Sequence, residues 1–416
     1  MFKNRPQNPW PSFQKPTLAT LLKSLVPPSV PVPADLHEDS DGLVRDVIKS
    51  SISKDSQSLL DKDIVSLVNS PIGKNVRTMW LGHASVFLQV PTPDITEDAR
   101  QSDGWVRADR LRSRSQSKIF LESTSASSRM TIVSRDPSDE TDQEDDHLDV
   151  DTLAELEKSQ PGFIRYCVPS GVGRILQRAG IPSHRIIEMG WWQELEIDLL
   201  QKSIPHGPAK PLASPTSTIS TLVGSSSLKV SCTPAQHNSG RSLFTPNKTL
   251  WSTWFLTFTL PEDDSFRCFF GGISIDARWA DLSSLCRNKY GPPDLAFLPI
   301  AAGSLLPYIE KLFHVKLDHE RLASAFHCSP KDAVEIHKDM RCRQSLGIHW
   351  GTFTTPAYGR RTLADLAATR SHGKVEGEWG AGHAFSTVEV GEWLIVDAGK
   401  KVDVMRLDHE SSRLMT

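Results

Sequence analysis

Apolar and polar positions alternate through "NVRTMWLGHASVFLQV" (75–90) around a central glycine. That pattern predicts a strand, a tight turn and a second strand where the folded core begins. Residues 1–45 are Pro-rich, with one interruption: Leu18, Leu21, Leu22, Leu25 and Val26 fall on one face of a short helix that Pro27-Pro28 stops. Because Lys15 and Lys23 supply little basic charge, it reads as a docked surface helix rather than a membrane-contacting one. From about 97 to 145 the alternation disappears, passing through "RLRSRSQSK" and "STSASSR" into an acid run, and a poorly packed low-complexity insertion is expected.

Order returns with "TLAELEKSQ", where Thr152 and Glu155 have capping-box spacing. A strand follows near "FIRYCVP", a helix near "GVGRILQRAG" and a strand across "RIIEMGWWQELEI"; the Ser/Thr/Pro-rich stretch 206–227 then reads as an inserted surface loop. Further strands are predicted at "LKVSCTPA", "TLWSTWFLTFTL", "RCFFGGI", "LAFLPI" and "SLGIHWG", with closing strands near "FSTVEVGEWLIVDAG". The helix "SPKDAVEIHKDM" has Ser329 as a natural N-cap and Pro330 as a natural N1.

Paired strands with helices between the later ones predict an α/β (α+β) sandwich with helices covering a mixed sheet core. The expected organisation is a Pro-rich extension over 1–45, one domain over 46–400 with insertions at about 97–145 and 206–227, and a tail over 401–416. At 416 residues and 38% hydrophobic content the chain can bury a sizeable core. A net charge of -3 without a dense Lys/Arg tract argues against nucleic acid as a partner. The six cysteines are scattered and form no Cys-x-x-Cys, which points to free thiols rather than a disulfide framework or thiolate zinc site. No apolar signal region opens the sequence, and the apolar stretch at 295–309 is broken by prolines, so a cytoplasmic or peripherally membrane-associated protein is expected.

Candidate chemistry lies at predicted strand ends. His237 in "TPAQHNSGR" just follows one strand and His349 in "LGIHWGTF" ends another, and loops at strand ends bring distant residues to one rim. Neutral imidazole is a favoured zinc ligand; Asp146 and His147 in "DHLD" would add an oxygen and a nitrogen. Taken singly, a histidine at a strand end is more often a hydrogen-bonded structural residue. No Gly-x-Ser-x-Gly precedes a convincing helix, and "GGIS" lacks the P-loop lysine and spacing.

Together, "WLGHASVF", "DHLDVDTL", "GWWQELEI", "TPAQHNSGR", "LWSTWF", "YGPPDLAFLPI", "HCSPKDAVEIHKDM" and "LGIHWGTF" resemble the metallo-β-lactamase superfamily, and in particular its N-acyl-phosphatidylethanolamine phospholipase D family. The resemblance covers most of 75–355 and implies a four-layer αβ/βα sandwich with zinc bound between the sheet edges. It also implies a phospholipid substrate: a metal-bound hydroxide cleaves the phosphodiester of N-acylated phosphatidylethanolamine, releasing an N-acylethanolamine and phosphatidic acid. On this pattern Asp146, His147 and His349 form one metal site, with Asp146 and His147 also carrying the catalysis.

The pattern is altered in two places. The family's His-x-His-x-Asp-His motif, aligned on Asp146 and His147, puts Asp142 and Glu144 where two histidines belong. In "FFGGISIDAR" the bridging aspartate's place is taken by Ile273, with Asp276 three residues on. The first site, which would use the His-x-His pair and His237, is therefore damaged. The second keeps three ligands, the usual number for a catalytic zinc, so one ion is expected, or two if Asp142 and Glu144 bind. The changes reflect either divergence to a weak hydrolase or misassigned exon boundaries over 97–145 and 271–276, which the transcript sequence distinguishes.

His83, in the "WLGHAS" turn, and His327, just before the capped helix, are candidates for contacting substrate phosphate; for His83 a structural hydrogen bond is an equal alternative. Asp149 is either an acceptor orienting a ligand histidine or a helix N-terminal acid. His337 reads as packing or surface, and Trp191, Trp192 and Trp350 as core. The competing function is a catalytically impaired lipid- or protein-binding scaffold, or another, lactonase-like hydrolase of the same fold.

Overall fold

The computed structural model describes residues 7, 75–82, 84–91, 116–122, 130–133, 153, 164–198, 227–236, 249–259, 265–272, 280–300, 328–351, 356–372, 384–391, 393–397 and 405–406. Within them, one sheet holds β1 (Asn75–Gly82), β2 (Ser85–Pro91), β3 (Gln116–Glu122), β4 (Met130–Val133), β5 (Arg165–Pro169), β6 (Ile186–Met189), β14 (Trp393–Asp397) and β15 (Met405–Arg406). Their order is β15-β14-β1-β2-β3-β4-β5-β6. The other sheet is built from β7 (Glu194–Asp198), β8 (Ser227–Thr233), β9 (Thr253–Thr259), β10 (Ser265–Phe270), β11 (Leu295–Pro299), β12 (Gln344–Ile348) and β13 (Ala384–Ser386), in the order β13-β12-β11-β10-β9-β8-β7.

Alternation decides which faces meet. Trp80 pairs with Val86 and Thr78 with Leu88, so Val76, Trp80, Val86, Leu88 and Val90 share the face that joins one continuous core with the Phe-rich strands of the second sheet. β11 and β12 are buried at every position, as parallel strands covered on both faces must be. Their second cover is helical: α3 (Pro330–Met340) lies on β11, and α2 (Ala280–Tyr290) and α4 (Pro356–His372) flank α3. On the first sheet, α1 (Gly173–Arg178) packs against β6. The result is the expected αβ/βα sandwich.

Strand directions then place the exits. β1 is antiparallel to β2 and β2 to β3, while β3 through β6 are parallel, so β1, β3, β4, β5 and β6 all end on one edge. In the second sheet β8 and β10 are both antiparallel to β9, and β10 through β13 are parallel, so β8 and β10 through β13 also end together. Contacts join these edges into one rim. Trp80 near the end of β1 stacks on Trp350 just after β12, and the Leu250 amide before β9 donates to the Ser170 carbonyl after β5 at 2.9 Å.

Three features depart from the sequence pattern. β3 and β4 lie inside the Ser-rich stretch read as poorly packed. The run Ile119-Phe120-Leu121 is too short to stand out of its background, yet β3 pairs with β2 without a break from Val86↔Leu121 to Pro91↔Gln116. "RIIEMGWWQELEI" is two strands rather than one, because Gly190 and a left-handed Trp192 (φ 68°) turn the chain from one sheet to the other. Helices α2 and α4 also occur where the apolar spacing announces none.

Candidate metal centre

His349 is the first residue beyond β12, only 5% exposed, and has φ 60°, a left-handed conformation uncommon for a residue with a side chain. Such strain persists only where the surroundings hold it, and it concentrates at functional sites. Here the Ile348 carbonyl, one residue earlier, accepts from the Ile300 amide at 3.0 Å. One residue later, Trp350 stacks on Trp80 with ring centroids 5.0 Å apart and planes 25° from parallel. Gly351, at φ 69°, then lets the chain turn away. Gly347 leaves no space beneath: a Cβ there would lie 2.8 Å from both Ile300 Cδ1 and Thr387 Cγ2.

The segment leading to His237 is equally constrained. Beyond β8, the Pro234 carbonyl accepts from Thr253 Oγ1 at 2.8 Å and the Ala235 carbonyl from Trp251 Nε1 at 2.9 Å. Trp251 is itself held, since its carbonyl accepts from Trp191 Nε1 at 2.6 Å and the two indoles meet edge to face. Alongside, the Glu188 carboxylate accepts from the Gly171 and Gly173 amides at 2.9 and 2.7 Å, fixing the turn after β5. At the exit of β10, Gly271 donates to the Phe297 carbonyl at 2.8 Å, and Gly272 turns with φ 63° immediately before Ile273.

Of the predicted site residues, His349 is described and lies on the rim. Asp142, Glu144, Asp146, His147, His237, His83 and His327 lie outside the described residues, as do Asp149, Ile273 and Asp276. Topology nonetheless orders their approaches. The acid run leaves the first sheet at Val133, the end of β4; His83 follows Gly82 at the end of β1; His237 follows Gln236 beyond β8. All three departures are on the rim that carries His349. His327 precedes α3, whose start is closed by a capping box: Ser329 Oγ accepts from the Asp332 amide at 3.2 Å while Asp332 Oδ2 accepts from the Ser329 amide at 3.1 Å.

Among the described residues no group of three or more His, Cys, Asp or Glu side chains could hold a metal ion. His349 fits a zinc ligand in kind and place, a largely buried imidazole on the rim between the sheets. The cysteines do not fit that role. All six are buried and none is in a disulfide, and burial pushes the Cys167, Cys286 and Cys342 thiols up to about 12 and raises Cys232 and Cys268 as well. His337, as expected, is packing: it is buried, with Nδ1 2.7 Å from Ser345 Oγ. Trp350 belongs to the main core cluster, and Trp191 and Trp192 are partly buried at the edge of that cluster. Sequence reasoning missed the supports Trp80, Trp251, Thr253 and Glu188. Only Trp80 carried a signal, standing three residues before His83 in "WLGHAS".

Comparison with known proteins agrees with the topology. A family model described as a beta-lactamase superfamily domain matches residues 140–350, just over half of the chain. An uncharacterized protein of Mycobacterium tuberculosis is 28% identical over 282 residues, 66% of this chain and 58% of that protein. The N-acyl-phosphatidylethanolamine-hydrolyzing phospholipase D 1 of Caenorhabditis elegans is 29% identical over 256 residues, 59% of this chain and 57% of its own. The mitochondrial enzyme of that name in Saccharomyces cerevisiae is 29% identical over 210 residues, 50% of this chain and 34% of its own. The chain thus spans well under two thirds of the length of these relatives. Among solved structures, CmlA, a diiron beta-hydroxylase from Streptomyces venezuelae, matches with a TM-score of 0.42 at 14% identity, over 81% of this chain and 55% of that one. On the match over 140–350 and the paired sheets that carry it, the chain belongs to the beta-lactamase superfamily domain family, with relatives among the N-acyl-phosphatidylethanolamine-hydrolyzing phospholipases D.

Proposed function

We propose that the chain is a metal-dependent phosphodiester hydrolase acting on N-acylated phosphatidylethanolamine, releasing an N-acylethanolamine and phosphatidic acid. The observation that supports this most is the strained, buried His349 on the rim from which the segments bearing Asp146, His147 and His237 also depart. Two of the relatives are named for this reaction.

On this reading Asp146, His147 and His349 hold one zinc ion, His237 assists, and Asp142 and Glu144 stand in for the family's His-x-His pair. Bound zinc supplies Lewis-acid polarisation of the phosphoryl group and lowers the pKa of water. The chain's own work is to fix His349 through its flanking residues and to carry His237 on the strap over Thr233–Gln236. Asp149 would accept a ring N–H from a ligand histidine, and His83 and His327 would face the substrate phosphate. The enzyme would meet lipid from a cytoplasmic or peripherally bound position; no helix among the described residues is long and apolar enough to cross a membrane.

Purified protein is incubated with N-acyl-phosphatidylethanolamine in mixed micelles, and N-acylethanolamine is measured by mass spectrometry. Expected is release that a chelator abolishes, zinc restores and His349→Ala lacks; absent or chelator-insensitive release overturns the proposal. Ile273 at the bridging position favours a second reading, a catalytically silent lipid- or protein-binding fold. That reading predicts micelle or protein binding without turnover.

A further inference from the structure

We propose that Trp80 is a positioning residue for His349, acting through the indole of Trp350. The inference rests on reading His349 as a metal ligand. A left-handed conformation is strained at a residue with a Cβ, so the turn at 349 does not hold itself and must be fixed on both sides. On one side the Ile348 carbonyl is tied to the Ile300 amide at the exit of β11. On the other, the ring of Trp350 stacks on Trp80, on the opposite sheet.

Trp80 and Trp350 both belong to the continuous, close-packed core between the sheets. Two large, flat rings at 5.0 Å and 25° fix distance and tilt together. Trp80 is 2% exposed, is paired in register with Val86, and its carbonyl accepts from the Gly391 amide at 2.8 Å, so it is a fixed platform. It lies two residues before Gly82 and three before His83, so the same platform ends the strand that leads into the other conspicuous turn of the rim. Trp80 therefore ties the position of the first sheet to the residue next to His349, at the end of β12.

The test measures zinc affinity by chelator competition in the wild type, Trp80→Leu, Trp80→Phe and His349→Ala, with folding checked by far-UV circular dichroism. The stacked indoles also give an exciton couplet that both Trp80 variants lose. Folded Trp80→Leu is expected to bind zinc about 10–100-fold more weakly, as loss of an outer support commonly does, with Trp80→Phe between it and the wild type. Wild-type zinc affinity in folded Trp80→Leu, while His349→Ala loses zinc, overturns this inference and leaves the functional reading intact. Wild-type affinity in His349→Ala overturns both. If Trp80→Leu does not fold, Trp80→Phe decides: several-fold weaker zinc binding with a shifted visible spectrum of the cobalt-loaded protein supports the role, and unchanged affinity and spectrum refute it.

Discussion

Replacing His349 by glycine should leave the protein more stable than replacing it by alanine, the reverse of the usual order. Both variants lose the same buried imidazole, so their difference reports the backbone alone. With φ at 60°, alanine keeps the left-handed penalty of about 1–2 kcal/mol, which glycine does not incur. Glycine's freer unfolded chain returns about 0.4–1 kcal/mol of that, leaving the glycine variant ahead by about 0–1.6 kcal/mol. Urea denaturation at neutral pH, with chelator present throughout to remove any ligand contribution, measures the difference. An advantage for alanine would show that position 349 is not held left-handed in solution, and the argument from strain to function would fail with it.

Other expectations follow from the same geometry. Trp251→Phe keeps an aromatic ring but removes the indole N–H that donates to the Ala235 carbonyl, leaving a buried acceptor unmet. It should cost about 1–3 kcal/mol in denaturant melts and weaken zinc binding through the strap before His237. Gly347→Ala, with its methyl 2.8 Å from two side-chain carbons, should cost about 1–3 kcal/mol by the same assay. The six buried thiols should be silent to a thiol reagent in the native protein and all react after unfolding. Burial raises Cys167, Cys286 and Cys342 from 9.0 to about 12, so folding favours the protonated thiols. Their stabilisation is whole below 9.0 and lost as pH rises through about 12, so melting temperature should fall across that alkaline window; a flat profile there contradicts it.

Legibility in the sequence tracked how strongly each element is specified by its own residues. The β1–β2 hairpin and the buried runs of β11 and β12 announce themselves through alternation or continuous apolar stretches, and α3 through its cap and proline. β3 and β4 do not, because their partners rather than their composition make them strands. The break at Trp192 was hidden because aromatic residues favour strands, whereas here a positive φ ends one sheet and starts the next. At the site, a histidine after a strand was visible, but its strained backbone and the indole support from a strand some 270 residues earlier are tertiary facts that neither spacing nor motif encodes.

If the proposed site is right, His349 shares one ion with Asp146 and His147. Zinc content by plasma mass spectrometry, on wild type, His147→Ala and His349→Ala purified identically and shown to be folded, tests it most directly. About one zinc per chain in the wild type, lost in each variant, is the predicted result. A folded wild type that carries no zinc after equilibration with the metal, or a His349→Ala variant that keeps its zinc, contradicts it.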